Sequence, residues 1–337
     1  MSSTIEASPP KQRGWARRDR RSLLESLPRY GTLIFLVLSV AVFSILKTEA
    51  FFTTETLVNI LEQSAVLVVV AVGLTAAMVM FEFDLSIAAM ASLCGVLVTG
   101  FQSFDGTAWP VAALETLAIA AAIGLVSGLI VAVINVNSFI VTLAMGTIVG
   151  GINQWYNNGQ TISLGVDPGF VSLGRGKVAG VPDLVLIAAG VSLLVWLLLS
   201  QTATGRNMYA IGGNREAARL AGIPIARVRV LAFVVSAALA GLGGMMLAAR
   251  SGAGFTSAGG SLLLQAFTAC FLGSVTLRDG EFHVAGTVLG VLLLTTIFVG
   301  LTIVGVADYV QSWVTGALLI FAVASSGIAR RFLHGRE

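Results

Sequence analysis

Long uncharged stretches alternate with short polar segments along most of this chain. Between Thr116 and Val166 there is no Asp, Glu, Lys or Arg. A helix of about 20 apolar residues crosses the hydrocarbon of a bilayer, so this interval has room for two crossings. The polar cluster at 135–138 predicts the turn between them. We therefore interpret the uncharged intervals as membrane helices.

The same pattern, followed through the whole chain, predicts ten membrane spans. They lie at about 31–46, 63–80, 85–101, 109–133, 138–155, 183–201, 230–249, 262–277, 284–304 and 309–328. An even number of crossings puts both termini on the same side of the membrane. The predicted fold class is an all-α integral membrane protein with about ten transmembrane helices.

Basic residues give the orientation of these spans. Sixteen lysines and arginines fall on the side of the termini and four on the other side. By the positive-inside rule, both termini face the cytoplasm. The predicted organisation is a basic cytoplasmic tail at 1–29, a transmembrane domain at 30–330 with a cytoplasmic loop at 203–229, and a tail at 331–337. These arginines fit anionic headgroups, which makes the lipid bilayer a partner and nucleic acid a poor inference.

Composition supports a membrane protein and argues against several functions. Hydrophobic residues make up 56% of the chain and charged residues 11%, far from the balance of a soluble domain. The chain has no G-x-x-x-x-G-K-S/T run for a nucleotide and no G-x-S-x-G elbow for a nucleophile. Neither of its two histidines has a partner at metal-ligand spacing. An intramembrane enzyme is therefore disfavoured, and no metal or other cofactor is predicted.

Small residues at helical spacing predict close packing between the spans. Lipid gives helices no hydrophobic drive to associate, so glycines that let backbones approach become important. Three pairs of glycines four residues apart fit this role: Gly124 and Gly128, Gly146 and Gly150, and Gly286 and Gly290.

Neutral polar residues, rather than charges, are spread through the spans. Ion-coupled carriers place carboxylates or histidines inside the membrane, whereas here only Glu82 and Asp84 stand at a break between two apolar runs. A wall of neutral polar groups suits a neutral, hydroxyl-rich solute. The candidate pathway residues are Gln63, Thr75, Asp84, Asn135, Asn137, Thr142, Asn153, Gln154, Gln265 and Thr268. Taken singly, each favours an interhelical hydrogen bond over a solute contact.

The polar, basic segment from Thr204 to Arg229 predicts a short capped helix outside the membrane. Asn214 is a good N-cap, Glu216 complements the helix dipole in the first turn, and Gly222 before Pro224 is a stop signal. So short a helix is marginal alone and needs a surface to hold it. Two surfaces fit equally well on these grounds: a groove in a partner protein, or lipid headgroups.

A pattern match favours the partner protein. Glu216-Ala217-Ala218, followed after three residues by Gly222, resembles the coupling loop of permease subunits of ABC importers. The run at 205–214 is similar to that of the ribose-type monosaccharide permease family, as are the blocks at 84–86, 138–143, 272–273 and 286–287. The resemblance covers about residues 50 to 330 and is specific as a set.

The resemblance implies a multi-pass protein of the bacterial inner membrane that carries a monosaccharide or polyol. Its implied partners are cytoplasmic ATP-binding subunits that grip the coupling helix, a second permease copy or paralogue, and an external solute-binding protein. ATP hydrolysis would then take place on a partner chain, and this chain is not an enzyme. The implied ATPase-coupling residues are Asn214, Arg215, Glu216, Ala217, Ala218, Leu220 and Gly222.

Two turns depart from the pattern of the family. Phe81-Glu82-Phe83 stands where paired glycines are usual, and residues 278–282 replace a glycine-rich run. Bulk at these turns alters the expected inner gate and favours a divergent branch with a small hydroxylated solute. The alternatives are an ABC permease for nucleosides or branched-chain amino acids, an ion-coupled secondary transporter that uses Glu82 and Asp84, and a ligand-gated or scaffold-type membrane protein.

Overall fold

The chain folds into a bundle of long helices with short connections. The computed structural model describes residues 30–276 and 280–334, so the predicted tail at 1–29, the last residues of the second tail, and Arg278 with Asp279 lie outside it. The helices are α1 (Gly31–Leu46), α2 (Thr48–Phe51), α3 (Thr54–Met78), α4 (Ile87–Asp105), α5 (Trp109–Val133), α6 (Ser138–Asn157), α7 (Pro168–Arg175), α8 (Asp183–Gln201), α9 (Ala203–Gly213), α10 (Arg215–Leu220), α11 (Ile225–Ser251), α12 (Leu262–Val275), α13 (Val284–Val304) and α14 (Tyr309–His334). Strands β1 (Lys177–Val178) and β2 (Val181–Pro182) form one antiparallel hairpin between α7 and α8.

The helices bear out the predicted class of an all-α membrane protein. Six of those in the described residues, α3, α4, α5, α8, α11 and α13, are long and apolar enough to cross a membrane. Shorter apolar helices occur at α1, α12 and the first part of α14. A helix overlaps each of the ten predicted spans, but the number of membrane crossings stays a prediction.

Helix α3 lies at the centre of the bundle. Every residue from Ser64 to Met78 is buried, and α3 packs against α8, α11, α12 and α13. Thr75 is completely buried, and its hydroxyl lies 2.8 Å from that of Thr287 on α13 and 3.4 Å from the thiol of Cys270 on α12. Thr75 therefore makes an interhelical hydrogen bond, as polar side chains in membrane helices commonly do.

Glycines let the helices approach, as two of the three predicted pairs show. A Cβ on Gly124 would lie 2.7 Å from the carbonyl oxygen of Phe233, and one on Gly128 would lie 2.9 Å from Cα of Val230. Gly286 and Gly290 meet the backbone of α12 in the same way. The third pair is only partly a packing pair, since Gly146 faces Ser86 but nothing lies within 4 Å of a Cβ on Gly150.

Candidate functional site

Helix α10 is closed at both ends by hydrogen bonds that the sequence predicts. The side-chain oxygen of Asn214 accepts a hydrogen bond from the backbone N–H of Ala217 at 3.0 Å. At the other end Gly222 adopts φ +78°, and the N–H of Ile223 donates to the carbonyl of Ala218 at 3.1 Å. Glycine is favoured at such a left-handed position because it has no Cβ. The prediction of Asn214 as the cap and Gly222 as the stop is confirmed.

The outer face of α10 is open to solvent. Leu220 is 88% exposed and Ala217 and Glu216 are also exposed, whereas Ala218 is buried against the bundle. A six-residue helix gains little from its own hydrogen bonds. Ala218 therefore fixes α10 to the bundle, and its exposed side chains remain available to another surface.

Helix α9, which the sequence analysis did not predict, links α10 to the bundle. Gly205 sits against the carbonyl oxygens at the end of α8, and Gly212 sits against the carbonyl of Val79. A side chain at either position would overlap backbone. The glycines that make 203–213 look like a loop are thus the residues that let this helix pack closely.

The chain between α3 and α4, residues 79–86, lies directly beside α9 and α10, and we refer to it as the inner turn. Its residue Glu82 is only 3% exposed. Oε1 of Glu82 accepts a hydrogen bond from Nη2 of Arg215 at 2.6 Å and lies 2.8 Å from Nε of Arg229. The Arg229 contact is an ion pair in which the N–H is not well aligned for a hydrogen bond. A buried carboxylate needs such counter-charges, because desolvation alone would destabilise it strongly.

The two arginines that hold Glu82 differ in their surroundings. The side chain of Arg215, the first residue of α10, is 43% exposed, whereas that of Arg229 in α11 is 4% exposed. Arg229 also donates from Nη1 to the side-chain oxygen of Asn135 at 3.3 Å. Arg229 is thus fixed among three elements of the bundle, while Arg215 reaches in from the edge.

Asp84 ties the inner turn to helix α11. Its Oδ1 accepts hydrogen bonds from the backbone N–H and the hydroxyl of Ser86 at 3.0 and 2.6 Å. Its Oδ2 accepts a hydrogen bond from the hydroxyl of Ser236 at 2.7 Å. Both carboxylate oxygens of this buried residue therefore have protein partners.

Two hydroxyls of α6 satisfy the extended backbone of the inner turn. The N–H of Phe83 donates to the hydroxyl of Ser138 at 3.1 Å, and the N–H of Leu85 donates to that of Thr142 at 3.0 Å. The hydroxyl proton of Thr142 is shared between the carbonyls of Ser138 at 2.8 Å and Phe83 at 3.1 Å. Backbone groups that water does not reach need partners of this kind.

Aromatic rings join the inner turn to the second altered turn. The rings of Phe81 and Phe282 meet edge to face with centroids 5.7 Å apart, and Phe83 stacks on Phe267 at 6.2 Å. The hydroxyl of Tyr209 in α9 donates to the carbonyl of Phe282 at 3.0 Å. The two departures from the family pattern therefore contact each other, and both contact the 203–229 segment.

The other predicted pathway residues are scattered and do not surround one cavity. Gln63 donates to Asn59 on the same helix, Asn137 caps α6, and Gln154 is exposed. Asn153 donates to the carbonyl of Thr256 at 2.8 Å. Asn135 lies in the exposed turn before α6, Thr268 donates to the carbonyl four residues earlier, and Gln265 is half-buried in α12. Asp84 and Thr142 come together at the inner turn, and Asn135 is linked to it through Arg229.

A cavity of about 460 Å³ lies at the opposite end of α4 and α6 from the inner turn. Ser103, Phe104 and Tyr156 line it, together with the loop at 157–165. No group of three His, Cys, Asp or Glu in the described residues is close enough to hold a metal ion. The described residues that line this cavity mix polar side chains with Phe104, Ile162 and Leu164 and include no Asp, Glu, Lys or Arg.

The partners of the two acidic residues do not stand out in the sequence. Ser236 reads as an ordinary small residue inside an apolar run, and Arg229 reads as a loop charge at the end of that run. The ion pair joins residues far apart in the chain, so no local spacing predicts it. Of the residues that hold the two acidic side chains or their partners, Asn135 is the one named among the sequence candidates, because it is a polar residue next to an apolar helix end.

Comparisons with known proteins give a consistent result. Residues 56–323 match the family model described as branched-chain amino acid transport system / permease component. The chain is 35% identical over 295 residues to the ribose import permease protein of Escherichia coli, covering 87% of this chain and 91% of the relative. It is also 35% identical over 326 residues to the galactose/methyl galactoside import permease protein of that organism, covering 91% and 96%. The D-allose transport system permease protein of Escherichia coli is 31% identical over 296 residues, covering 88% and 90%. No solved structure matches.

Proposed function

This chain belongs to the family of permease components of branched-chain amino acid transport systems, and we propose that it is the membrane-spanning subunit of an ABC importer for a monosaccharide or a small polyol. It is a multi-pass protein of the inner membrane and a transport subunit, not an enzyme. The observation that carries the proposal is the similarity along most of its length to permeases named for ribose, galactose and allose.

In this proposal, α10 is the coupling helix that a cytoplasmic ATP-binding subunit grips. The open outer face of α10 supports the role, because Leu220, 88% exposed, and the exposed Glu216 and Arg219 beside it are accessible to a partner protein. The closed hydrogen bonds at both helix ends make α10 a rigid unit. ATP binding would move α10 and thereby change which side of the membrane the solute pathway faces.

The proposal includes the domain organisation and the topology predicted from the sequence. The chain crosses the membrane ten times between residues 30 and 330, with both termini and the 203–229 loop in the cytoplasm. The remaining partners are a second permease copy or paralogue and an external solute-binding protein. The lipid bilayer surrounds the outward faces of α5, α6 and α14, which carry many exposed apolar side chains.

Two rival functions receive less support from the contacts of the charged residues. An ion-coupled carrier would use Glu82 and Asp84, but Glu82 is paired with two arginines and Asp84 is bonded to Ser86 and Ser236. A solute with a carboxylate, such as an amino acid, would need a buried cation or a helix N-terminus to bind it. Among the described residues the buried arginine, Arg229, already pairs with Glu82.

The test is to purify the chain with the proteins that associate with it. We expect an ATP-binding subunit in the purified complex and a solute-binding protein that thermal shift assays show to bind a sugar or polyol. Screening that binding protein against sugars, polyols, nucleosides and amino acids identifies the solute class. A complex without an ATP-binding subunit would refute the proposed function.

A further inference from the structure

The buried residue Glu82 holds both ends of the connection that contains α10. Arg215 begins α10, and Arg229 lies in the first turns of α11, so the two arginines flank the loop that follows α10. Both reach the same oxygen of Glu82, at 2.6 and 2.8 Å. One carboxylate of the inner turn is thus the point where charges from the 203–229 segment converge.

The two arginines that contact Glu82 differ in how firmly the bundle holds them. Arg229 is buried and bonded to Asn135, so it belongs to the fixed bundle. Arg215 is half exposed and sits on a short helix whose side chains, apart from Ala218, face outward. A displacement of α10 therefore stretches the Arg215 contact and leaves the Arg229 contact in place.

The two residues on either side of Glu82 pack against α12 and the turn before α13. Phe81 meets Phe282, which precedes α13, and Phe83 stacks on Phe267 of α12. Both residues are adjacent to Glu82 in the chain. A displacement of the Glu82 side chain therefore also displaces Phe81 and Phe83, whose rings pack against the turn before α13 and against α12.

We propose that Glu82 is a positioning residue that transmits the movement of α10 to the inner turn, with Arg215 as the moving partner and Arg229 as the fixed one. The inference deepens the proposed function and rests on it, because it requires α10 to be moved by an ATP-binding subunit. Salt bridges that link separate elements of a bundle form the kind of contiguous network through which coupling between sites can be carried.

The experiment uses the full complex in proteoliposomes and compares solute uptake with ATP hydrolysis. The probes are labelled ribose, galactose and allose, with the associated binding protein present. Variants are Glu82→Gln, Arg215→Gln, Arg215→Lys and the double variant E82Q/R215Q. The matched control is Glu62→Gln, because the half-buried Glu62 pairs with Lys177 at 4.0 Å in the N-terminal half of α3, away from the inner turn.

We expect Glu82→Gln and Arg215→Gln each to lower uptake per ATP hydrolysed by roughly 5- to 150-fold, the range of ordinary coupling between sites. The double variant should be no worse than the lower single variant, since both remove the same interaction. Arg215→Lys should recover part of the uptake because it keeps the charge. Binding of the ATP-binding subunit to Glu82→Gln should stay unchanged, because Glu82 is buried.

A second set of variants is needed if Glu82→Gln fails to insert into the membrane because loss of the carboxylate leaves Arg229 unpaired. In E82Q/R229Q neither charge remains, and adding Arg215→Gln should then change uptake per ATP by less than about twofold. Additive effects of the Glu82 and Arg215 substitutions, or wild-type uptake per ATP in both, would overturn the proposal. If the wild-type chain binds no ATP-binding subunit, the proposed function itself fails.

Discussion

At the scale of single residues, hydroxyl groups replace water as partners of the buried backbone. Thr142 accepts from the N–H of Leu85 and donates to the carbonyl of Phe83. Both contacts occur where the chain leaves α3 and has not yet entered α4, so no helical partner is available. The hydroxyl of Thr142 therefore serves the fold, whether or not a solute also passes it.

Replacing Thr142 with Val tests this structural role. The change keeps the shape of the side chain but leaves the N–H of Leu85 unpaired, which should lower the free energy of unfolding by about 1–3 kcal/mol. Thermal unfolding of the purified protein in detergent measures it. The control is Thr147→Val, since Thr147 is exposed and bonds only to its own helix at the carbonyl of Leu143. Equal stability of the two variants would contradict the role.

Two glycines on different helices offer a second residue-scale comparison. Gly286→Ala places a methyl group into the backbone of Gly273, which should destabilise the protein by about 1–3 kcal/mol. Gly150→Ala has open space and should stabilise its helix by about 0.5–1 kcal/mol. The same thermal unfolding assay compares them, and effects of equal sign would be inconsistent with the packing described.

At the scale of elements, α10 has only a small contact with the rest of the bundle. Asn214 and Gly222 close its two ends by hydrogen bonds within residues 214–223, and Ala218 alone among its helical residues is buried. Arg215 adds a single contact, to Glu82. A helix with closed ends and so small an interface can move as a unit, which suits a part that carries force between proteins.

Substitutions in α10 should uncouple transport while the protein still inserts. Gly222→Val forces a β-branched residue into φ +78°, at about 1–2 kcal/mol of strain, and Glu216→Lys reverses the charge near the N-terminus. We expect either to lower uptake per ATP by about fivefold or more. Gly305→Val is the control, since Gly305 has φ +87° in a turn far from α10. Full transport with an intact complex in both α10 variants would remove the coupling role.

Much of the structure at this scale can be predicted from local sequence. The rest depends on contacts between residues that are far apart in the chain. Apolar runs predict the long helices, and the cap and stop signals at Asn214 and Gly222 act over a few residues, so sequence alone locates them. Helix α9 could not be predicted in this way, because its glycines resemble those of a loop until the backbone carbonyls that they contact are known. The burial of Arg229 could not be predicted from the sequence, because it depends on Glu82, which lies in the inner turn and is far from Arg229 in the chain.

At the scale of the whole molecule, orientation in the membrane is the largest untested prediction. The inner turn and the 203–229 segment lie together, and the hairpin of β1 and β2 lies beyond the opposite end of α8. The proposed topology puts the first pair in the cytoplasm and the hairpin outside. Both surfaces are open enough to be labelled from the aqueous phase.

Cysteine labelling in intact cells tests the orientation. Val178→Cys, at a site 60% exposed, should react with an impermeant thiol reagent from outside, and Arg227→Cys, at an exposed site of the 203–229 loop outside α10, should react only after the membrane is opened. The native thiols of Cys94 and Cys270 are buried and should give little background. Labelling of Val178→Cys solely from the inside would refute the topology.

The enclosure of α3 bears on the order in which the chain is made. Helix α3 leaves the ribosome early, yet the hydroxyl that meets Thr75 belongs to Thr287, 212 residues later. Until α11, α12 and α13 have been synthesised, a helix destined to be surrounded by protein must wait among lipids or in the insertion machinery. A ribosome that stalls within the second half therefore leaves α3 without its neighbours, and quality-control proteases would meet a helix that the mature protein never exposes.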